Sequence, residues 1–265
     1  MVDLKKLCEE IIGAVSETEQ FILQESGEFD ISRTETKGLH DLVSYVDKGS
    51  EKMLVERLSE IMPEAGFIAE EGTSSKQGAR YCWVIDPLDG TTNFVHGIHP
   101  YAISVALTDN GEPVAGVVCD VGGKEVFRAW KNGGAWLNEN AIRVSDASSL
   151  AVSLVATGLP YNNFSRLEKY MACLTHFCRT THGIRRLGSA SIDMAYVACG
   201  RFEAFYEYDL KIWDIAAGTI IVREAGGHVS DFSGNEKNLD AREIVAANSL
   251  VFPEFLKIVS KFMQE

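Results

Sequence analysis

The chain has 265 residues, of which 46% are hydrophobic, and carries a formal net charge of −13 at pH 7. This length and composition suit one compact protein with a substantial core, and the acidic balance argues against a nucleic-acid partner. The first residues contain no apolar signal region, and no stretch approaches the roughly 18 apolar residues of a membrane span, so we expect a cytoplasmic protein with no membrane partner.

Two helices and a strand are predicted first along the chain. A helix is expected from about Asp3 to Gln24, followed by a polar loop to Leu39 and by an amphipathic helix after Asp47. A short apolar strand, Gly66 to Ala69, then ends in Glu70-Glu71-Gly72. Because carboxylates at the end of a buried strand usually need a partner such as a metal ion, this strand end is a candidate ligand position.

The segment from Trp83 to Phe94 is the most informative part of the chain, because it sets two carboxylates on one turn. Tyr81 to Ile85 is predicted to be a buried strand, and Pro87 should end it, since proline has no N–H to donate to a sheet. Asp86 is therefore expected at the carboxyl end of a strand, and Asp89 follows it within the turn.

A helix is predicted to start just after this turn. Gly90 permits a positive φ, and Thr91-Thr92-Asn93 supplies capping residues for a helix whose free N–H groups can receive an anion. The turn thus offers carboxylate ligands for a cation and, beside them, free N–H groups for an anion. The Asp-x-x-Asp spacing differs from the Asp-x-Asp of phospho-aspartyl phosphatases, and the alternating ligands of an EF-hand are missing. Taken alone, however, the two aspartates could equally cap backbone groups of an ordinary turn.

The later part of the chain changes its pattern. Three alternating runs, Ala102–Thr108, Pro113–Cys119 and Glu125–Trp130, predict an antiparallel meander. After Asn140 strands and helices alternate, which divides the chain into an α+β half over 1–140 and an α/β half over 141–265. Strands are expected at 152–156, 183–187, 204–207 and 244–246, and helices near 165–178, 190–199, 214–225 and 253–263.

Asp214 begins an apolar run, Ile215 to Val222, which predicts a tightly packed helix broken by Gly226-Gly227. A helix N-cap would explain this aspartate by itself. Together with Glu70 and the turn from Asp86 to Asp89, however, it forms a third acidic position set among apolar neighbours.

With these residues in place, the chain resembles the inositol monophosphatases, which are magnesium-dependent, lithium-sensitive phosphatases. The resemblance runs nearly end to end, and its Asp-Pro-x-Asp-Gly-Thr and Trp-Asp segments are very specific in combination. It is carried by Asp41-Leu42-Val43-Ser44 with Asp47, Ile68 to Glu71, Trp83 to Gly97, His182 to Arg185 with Gly188 to Ala190, Trp213 to Gly218, and Glu224 to Gly227.

The resemblance implies roles for residues of these segments. Glu70, Asp86 and the carbonyl of Leu88 would hold one magnesium ion, and Asp86, Asp89 and Asp214 a second. Glu70 would also bind a weaker third ion through water, and Asp47 with Thr91 would orient and deprotonate the attacking water. The catalytic residues would then be Thr91, Asp47 and Glu70. The substrate contacts would be Asp89, Gly90, Thr91, Gly188, Ser189, Ala190, Glu207 and Asp214.

The same resemblance implies an α/β (α+β) layered sandwich of the αβαβα sugar-phosphatase type, a homodimer, and hydrolysis of myo-inositol monophosphate to inositol and phosphate. Two alternatives stay open. The same metal chemistry could act on fructose 1,6-bisphosphate, histidinol phosphate, adenosine 3′,5′-bisphosphate or NADP, or the scaffold could serve a non-enzymatic interaction protein. Arg185 and Arg186, just before the Gly188 loop, could approach either the substrate or a second subunit.

Overall fold

The computed structural model describes residues 2–27, 34–36, 42–78, 80–237 and 242–264. Most of the predicted loop up to Leu39, and Asp41 of the first family segment, lie outside the described residues. In chain order the helices are α1 Leu4–Ser26, α2 Tyr45–Ile61, α3 Thr91–Val95, α4 Leu167–Thr180, α5 Ala190–Ala198, α6 Ile212–Glu224 and α7 Phe252–Gln264. The strands are β1 Thr34–Thr36, β2 Leu42–Ser44, β3 Gly66–Ala69, β4 Tyr81–Asp89, β5 Ala102–Asp109, β6 Glu112–Asp120, β7 Glu125–Trp130, β8 Ala135–Leu137, β9 Asn140–Ile142, β10 Leu154–Thr157, β11 Gly183–Arg185, β12 Ala204–Tyr208, β13 His228–Ser230 and β14 Glu243–Ala247.

The two amino-terminal helices begin at capping residues. α1 confirms the first predicted helix, and the side chain of Asp3 accepts a hydrogen bond from the N–H of Lys6 at 3.1 Å. α2 begins at Tyr45, earlier than predicted, because Ser44 caps it. Asp47 therefore lies inside the first turn of α2, and its Oδ2 accepts a 2.8 Å bond from the N–H of Ser44, which completes a capping box.

The larger sheet has seven strands in the order β3-β4-β5-β6-β7-β8-β9. β3 and β4 are parallel, and β4 to β7 pair antiparallel in sequence, which confirms the predicted meander. β5 and β6 are joined by Asn110 and Gly111, which both have a positive φ, as a two-residue hairpin requires. The prediction missed β8 and β9, since three-residue strands are too short to show a periodic pattern.

β4 runs past Pro87 to Asp89, so the prediction that proline ends this strand was wrong. Pairing with β5 is regular as far as Asp86, opposite Ser104, and resumes at Asp89, opposite Ala102. Pro87 lies in the irregular step between these pairs, where its missing N–H removes no ladder bond. The two aspartates therefore flank an irregularity within the strand and do not follow its end.

The second sheet has the order β11-β10-β12-β14-β13, with β10 parallel to both neighbours and β14 antiparallel to both of its own. The predicted strands and helices of this half are present. Leu150–Val152 forms a 3-10 turn, so that β10 begins only at Leu154, and the short strand β13 was not predicted. α6 begins at Ile212, before the predicted start at Asp214.

The elements stack as five layers, which confirms the predicted αβαβα sandwich. α1 and α2 cover one face of the seven-stranded sheet, α5 and α6 lie between the two sheets, and α4 and α7 cover the outer face of the second sheet. A hydrophobic core fills each side of both sheets, centred on Trp83, on Phe205 with Phe127, and on Phe255. Each large side chain that is fully buried contributes roughly 1.5–3 kcal/mol, so these cores hold the layers together.

The chain passes from the first sheet to the second between Ile142 and Leu154, close to the change of pattern in the sequence. The division into domains at residue 140 stays a prediction, and the core between the sheets takes residues from both halves. In the part of the chain that the structure describes, no helix is both long and apolar enough to cross a membrane.

Candidate functional site

Parallel pairing brings the first two acidic segments together. Ala69 of β3 lies opposite Ile85 of β4, and the N–H of Glu70 donates to the carbonyl of Ile85 at 3.2 Å. This parallel register places Glu70, which follows the end of β3, beside Asp86 within β4. Besides burial, the charge of Glu70 contributes to the raised pKa of Asp86, so the two carboxyl groups interact.

Gly90 connects β4 to α3 in the left-handed region, with φ +92°. A Cβ at this position would also lie 3.1 Å from the carbonyl oxygen of Gly188, so both the conformation and the close approach require glycine. Gly90 itself is the N-cap of the five-residue helix α3. The prediction that Thr91, Thr92 and Asn93 cap this helix was therefore wrong, because they form its first turn.

The side-chain amide of Asn93, in α3, donates two hydrogen bonds to backbone carbonyl groups. Its Nδ2 donates to the carbonyl of Pro100 at 2.7 Å and to the carbonyl of Leu187 at 2.8 Å. Pro100 precedes β5 of the first sheet, whereas Leu187 lies in the loop before α5. One side-chain amide thus joins the two halves beside the site.

Thr91 and Asp47 form a hydrogen-bonded pair between α3 and α2. The Thr91 hydroxyl lies 2.9 Å from Oδ1 of Asp47 and 3.0 Å from the carbonyl oxygen of Leu88. Oδ2 of Asp47 accepts from both the N–H and the hydroxyl of Ser44, at 2.8 and 2.6 Å. Burial raises the pKa of Asp47, and the bonds from Ser44 and Thr91 oppose that rise. The carboxylate is therefore fixed in orientation by donors on both oxygens.

Asp89 is bound by the start of α5. Its Oδ2 accepts from the Ser189 hydroxyl at 2.7 Å, the Ser191 N–H at 2.8 Å and the Ser191 hydroxyl at 2.5 Å. Leu88, one residue earlier, donates its N–H to Oδ1 of Asp86 at 3.0 Å. Burial raises the pKa of Asp89, and the serine bonds oppose that rise.

Asp214 lies in the first turn of α6, not at its N-cap, which is Lys211. Oδ2 of Asp214 accepts the N–H of Lys211 at 2.7 Å, so the simple N-cap interpretation is wrong by three positions. Ser104 of β5 donates its hydroxyl to the carbonyl of Trp213 at 3.2 Å and ties this turn to the first sheet. Besides burial, the charge of Asp214 contributes to the raised pKa of Asp86, so these two carboxyl groups also interact.

Glu207 lies next to the end of β12, opposite the end of the neighbouring parallel strand β10. Thr157 of β10 pairs with Tyr206, so that Gly158 follows directly beside Glu207. A Cβ on Gly158 would lie only 1.8 Å from Oε1 of Glu207, and the glycine therefore leaves the space that this carboxyl group occupies. Burial, followed by the charge of Asp214, raises the pKa of Glu207 well above its usual range, while Arg186 opposes that rise.

One cavity of ≈ 310 Å³ collects these groups. Its volume is at the lower end of the roughly 300–1,000 Å³ of small-molecule sites. Asp47 does not line it and lies behind Thr91. All other predicted site residues do line it, namely Glu70, Asp86, Leu88, Asp89, Gly90, Thr91, Gly188, Ser189, Ala190, Glu207 and Asp214.

The carboxyl groups at the floor of the cavity repel one another. Burial raises the pKa of Asp86 well above its usual range, and the neighbouring charges, that of Glu70 foremost, raise it further. Burial, followed by the charge of Asp89, raises the pKa of Asp214 to about 7. The metal-free protein therefore retains protons among these acids near neutral pH.

The donor set fits a hard divalent cation. Carboxylate oxygens and the Leu88 carbonyl are the ligands that magnesium prefers. Arg186 and Lys211 are the only basic residues among the described ones that line the cavity, so the protein itself supplies little charge to offset the acids. Within the described ranges, no group of three or more His, Cys, Asp or Glu side chains is already arranged to hold a metal ion. A cation that binds here would replace protons on the acids.

Several residues of the site were not found from the sequence. Ser191 binds Asp89 as described above. Glu51 of α2 is fully buried, and its carboxylate accepts the N–H groups of Glu71 and Thr73, both at 2.6 Å, which fixes the loop after Glu70. Asp193 of α5 lines the cavity, is 1% exposed, and has an Oδ1 without a hydrogen-bond partner. A charged residue inside an otherwise apolar helix was the available signal for Asp193, whereas Glu51 lies among polar residues of α2 and gave no such signal.

Arg186 was left between two roles by the sequence, and the structure places it at the cavity. Its guanidinium donates to the Tyr161 hydroxyl at 2.6 Å and lies over the Tyr161 ring at 5.7 Å. Arg185 does not line the cavity. The rim beside Gly188 is therefore positively charged above an acidic floor.

Known proteins match this chain along almost its whole length. The family model described as "Inositol monophosphatase family" matches residues 3–264. A putative Nus factor SuhB of Neisseria meningitidis serogroup B is 46% identical over 242 residues, covering 91% of this chain and 93% of that protein. An inositol-1-monophosphatase of Rhizobium meliloti is 40% identical over 253 residues, covering 95% of each. A fructose-1,6-bisphosphatase/inositol-1-monophosphatase of Thermotoga maritima is 40% identical over 233 residues, covering 86% of each.

The fold agrees with these matches. The crystal structure of the extragenic suppressor protein SuhB from Bartonella henselae superimposes with a TM-score of 0.91 at 35% identity, covering 97% of this chain and 99% of that one. The family model, the relatives and the shared fold support a phosphatase scaffold of a generally metal-dependent family. The chain therefore belongs to the inositol monophosphatase family.

Proposed function

We propose that this protein is a magnesium-dependent phosphomonoesterase that hydrolyses myo-inositol monophosphate to inositol and phosphate. One observation carries the proposal. The acids Glu70, Asp86, Asp89 and Asp214 meet in one cavity beside a hydroxyl–carboxylate pair, the partly buried Thr91 and the buried Asp47. A phosphate dianion can enter a cavity with such a floor only when cations offset the carboxylates.

The proposed ligands would hold two or three ions. Glu70, Asp86 and the Leu88 carbonyl would hold the first, Asp86, Asp89 and Asp214 the second, and Glu70 a weaker third through water. When bound, the magnesium would lower the pKa of coordinated water from about 15.7 toward neutrality and offset the charge of the phosphate.

Thr91 and Asp47 would manage the proton of the attacking water. Oγ1 of Thr91 would accept a hydrogen bond from that water while its own proton points to Oδ1 of Asp47. As the water attacks phosphorus, its proton would pass to Oγ1 of Thr91 and the hydroxyl proton to Asp47. At the same time the bond from phosphorus to the ester oxygen would break, and the leaving alkoxide would take up a proton from water. Ser44 holds the other oxygen of Asp47, so the acceptor does not turn away during this transfer.

The remaining residues would hold the two ends of the substrate. The N–H groups of Gly90 and Thr91 would bind phosphate oxygens. Asp89, Gly188, Ser189, Ala190, Glu207 and Asp214 would contact the hydroxyl groups of the alcohol. Glu207 has a raised pKa, and a carboxylic acid can both donate to and accept from a hydroxyl, which suits the recognition of a polyol.

A second candidate substrate is a sugar bisphosphate such as fructose 1,6-bisphosphate. Arg186 and Lys211 line the same cavity as the acids, and Arg186 is held in place by Tyr161. Arginine binds a second phosphate well because its planar fork matches two phosphate oxygens. The Thermotoga maritima relative, whose name joins both activities, supports this candidate.

A second candidate function is that of a Nus factor in a transcription complex. It is favoured by the relatives named SuhB, one of which is more similar in sequence to this chain than the enzyme relatives described above. Copurification with the RNA polymerase of its own organism tests this role. An Asp89→Asn variant that binds the complex but lacks phosphatase activity would separate the two functions.

The experiment that tests the enzymatic proposal is phosphate release with magnesium from a panel of substrates. It compares kcat/KM for inositol 1-phosphate, fructose 1,6-bisphosphate, histidinol phosphate, adenosine 3′,5′-bisphosphate and NADP. A preference for inositol 1-phosphate supports the full proposal, and another preference keeps the chemistry with a different substrate. Absence of metal-dependent turnover across the panel would reject it. Lithium inhibition and a homodimer belong to the same proposal and are checked by lithium titration and sedimentation.

A further inference from the structure

Ser191 contacts Asp89, one of the proposed metal ligands, and has no role in the proposed reaction itself. Its hydroxyl and its N–H both donate to Oδ2 of Asp89, at 2.5 and 2.8 Å. Ser189 donates a third bond to the same oxygen at 2.7 Å. Both serines are buried, Ser191 completely. Their hydroxyls are therefore committed to Asp89 and are not exchanging with solvent.

Three donors bind Oδ2 of Asp89 and thereby determine the direction in which Oδ1, the other oxygen of this carboxylate, points. If the carboxyl group rotated about its Cβ–Cγ bond, these bonds would lengthen or break, and the buried donors would lose their partner. The positive end of the nine-residue helix α5 lies at the same oxygen and favours the charged form. We infer that Ser191 is a positioning residue, which with Ser189 and the first turn of α5 holds Oδ2 of Asp89 so that Oδ1 is presented to a divalent cation.

This inference rests on the proposed function, in which Asp89 is a cation ligand. Partners that hold a metal ligand by hydrogen bonds typically change metal affinity or activity about 10–100-fold when they are removed. Ser191 has two of the three bonds, and its side chain alone supplies the shortest one. Removal of the hydroxyl should therefore weaken cation binding more than turnover at saturating cation.

The contact also joins distant parts of the chain. Asp89 belongs to β4 of the seven-stranded sheet, whereas Ser191 lies 102 positions later in α5, between the two sheets. Asp89, a proposed cation ligand, is therefore held in place by α5, a helix of the second half of the chain. Cation affinity should consequently report how well α5 is docked.

The test is calorimetric titration of magnesium into the metal-free protein, because it needs no turnover. Ser191→Ala should raise the Kd for magnesium about tenfold. The control is Ser230→Ala, which removes another fully buried serine hydroxyl, bonded to the carbonyl of Asp231 outside the cavity. Its Kd should stay at the wild-type value. A Kd for Ser191→Ala equal to that of the wild type would overturn the inference and leave the proposed function intact, whereas a wild type that binds no magnesium would overturn both.

A second readout separates positioning from mere structural support. If Ser191 only stabilised the fold, Ser191→Ala would lower Tm equally with EDTA and with magnesium. Positioning predicts that the rise in Tm on adding magnesium becomes smaller, since that rise follows the ratio of ligand concentration to Kd. If Ser191→Ala does not fold, Ser189→Ala removes a single donor from the same oxygen and should weaken magnesium binding. An unchanged Kd in that variant would also contradict the inference.

Discussion

The Thr91 hydroxyl donates to Oδ1 of Asp47 across 2.9 Å, although 44 positions separate the two residues. The same hydroxyl lies 3.0 Å from the Leu88 carbonyl, so its single proton is shared between two acceptors. The lone pairs of Oγ1 remain available for a water molecule. This arrangement is the basis for expecting a proton-transfer role and not only a structural one.

Thr91→Ala should lower kcat by roughly 10²–10⁴-fold, the range for loss of a positioned proton acceptor. The KM and the magnesium concentration that gives half-maximal activity should change little. Steady-state phosphate release at saturating magnesium gives kcat and KM, and a magnesium titration at saturating substrate gives the half-maximal magnesium concentration. Thr108→Ala is a matched control, because its hydroxyl binds the carbonyl of Cys82 outside the cavity at 3.1 Å. If Thr91→Ala affects only magnesium affinity, Thr91 has no part in proton transfer.

Asp89→Asn should keep the fold and abolish turnover, since the amide can still accept a bond from the serines but is a poor magnesium ligand. Circular dichroism checks the fold, and phosphate release checks the activity. Asp209→Asn is the comparison, because Asp209 lines the cavity and is bound by the N–H of Asn163 without being a proposed ligand. Near wild-type turnover of Asp89→Asn would be incompatible with the ligand assignment.

The pH dependence of stability should change sign with the cation. In the metal-free protein the carboxyl pKa values are raised, that of Asp214 from 3.8 to about 7. A raised folded-state pKa gives stability that is complete at low pH and is lost as the pH rises through that value. With EDTA, Tm should therefore fall between pH 5 and pH 8, chiefly below pH 7, because this shift sets a window from about 4 to about 7.

Magnesium should reduce or reverse this fall, because deprotonated acids bind the cation and only the folded state holds them together. Thermal melts in EDTA and in magnesium at each pH make the comparison. A Tm that rises from pH 5 to pH 8 in EDTA would show that other groups dominate the titration and that the acids do not repel one another.

Gly158→Ala should displace the carboxyl group of Glu207, since the new Cβ would lie 1.8 Å from Oε1. The KM for a polyol phosphate should rise about tenfold or more, whereas p-nitrophenyl phosphate, which lacks the hydroxyl groups, should be affected less. Gly13→Ala in α1 is the control, because nothing lies within 4 Å of its added Cβ. Equal effects on both substrates would mean that Glu207 does not select the alcohol.

Glu51→Ala should destabilise the protein and weaken magnesium binding together. The buried carboxylate accepts two backbone N–H groups at 2.6 Å, and such charge-assisted bonds contribute about 1.5–3 kcal/mol each. Urea unfolding and magnesium titration give the two quantities. Glu56→Ala on the exposed side of the same helix should cost less than about 0.5 kcal/mol. Loss of stability without loss of magnesium affinity would show that the loop after Glu70 does not depend on Glu51.

The sequence was sufficient to predict a helix or strand wherever its apolar and polar residues repeat regularly over many positions. The periodic face of α1 and the alternating runs of β5 to β7 were predicted close to their observed bounds, because many residues repeat the same burial. The acidic segments at Glu70, Asp86 and Asp214 also stood out, since acids among apolar neighbours break that pattern. Other strands of three residues, such as β13, give no such repetition and were missed, whereas β11 was predicted as part of a longer run, 183–187.

Contacts between residues that are far apart in the chain could not be predicted from the sequence pattern. The path of β4 past Pro87 depends on its pairing with β5, and the space that Gly158 leaves for Glu207 depends on the parallel register of β10 and β12. Ser191 resembles any serine near a helix start until its distance to Asp89 is known. Register and packing across the sheets decide these contacts, and neither is encoded in spacing along the chain.

The two bonds from the Asn93 amide limit how substrate can enter. Rotating one half against the other would break the bond to Pro100 or the bond to Leu187, and no second amide hydrogen is left to replace it. Such a rotation would also disturb the core that the halves share, so we expect substrate and product to pass while the halves keep their relative positions. Exchange of substrate and product should then require movement of side chains at the rim of the cavity and no movement of whole domains.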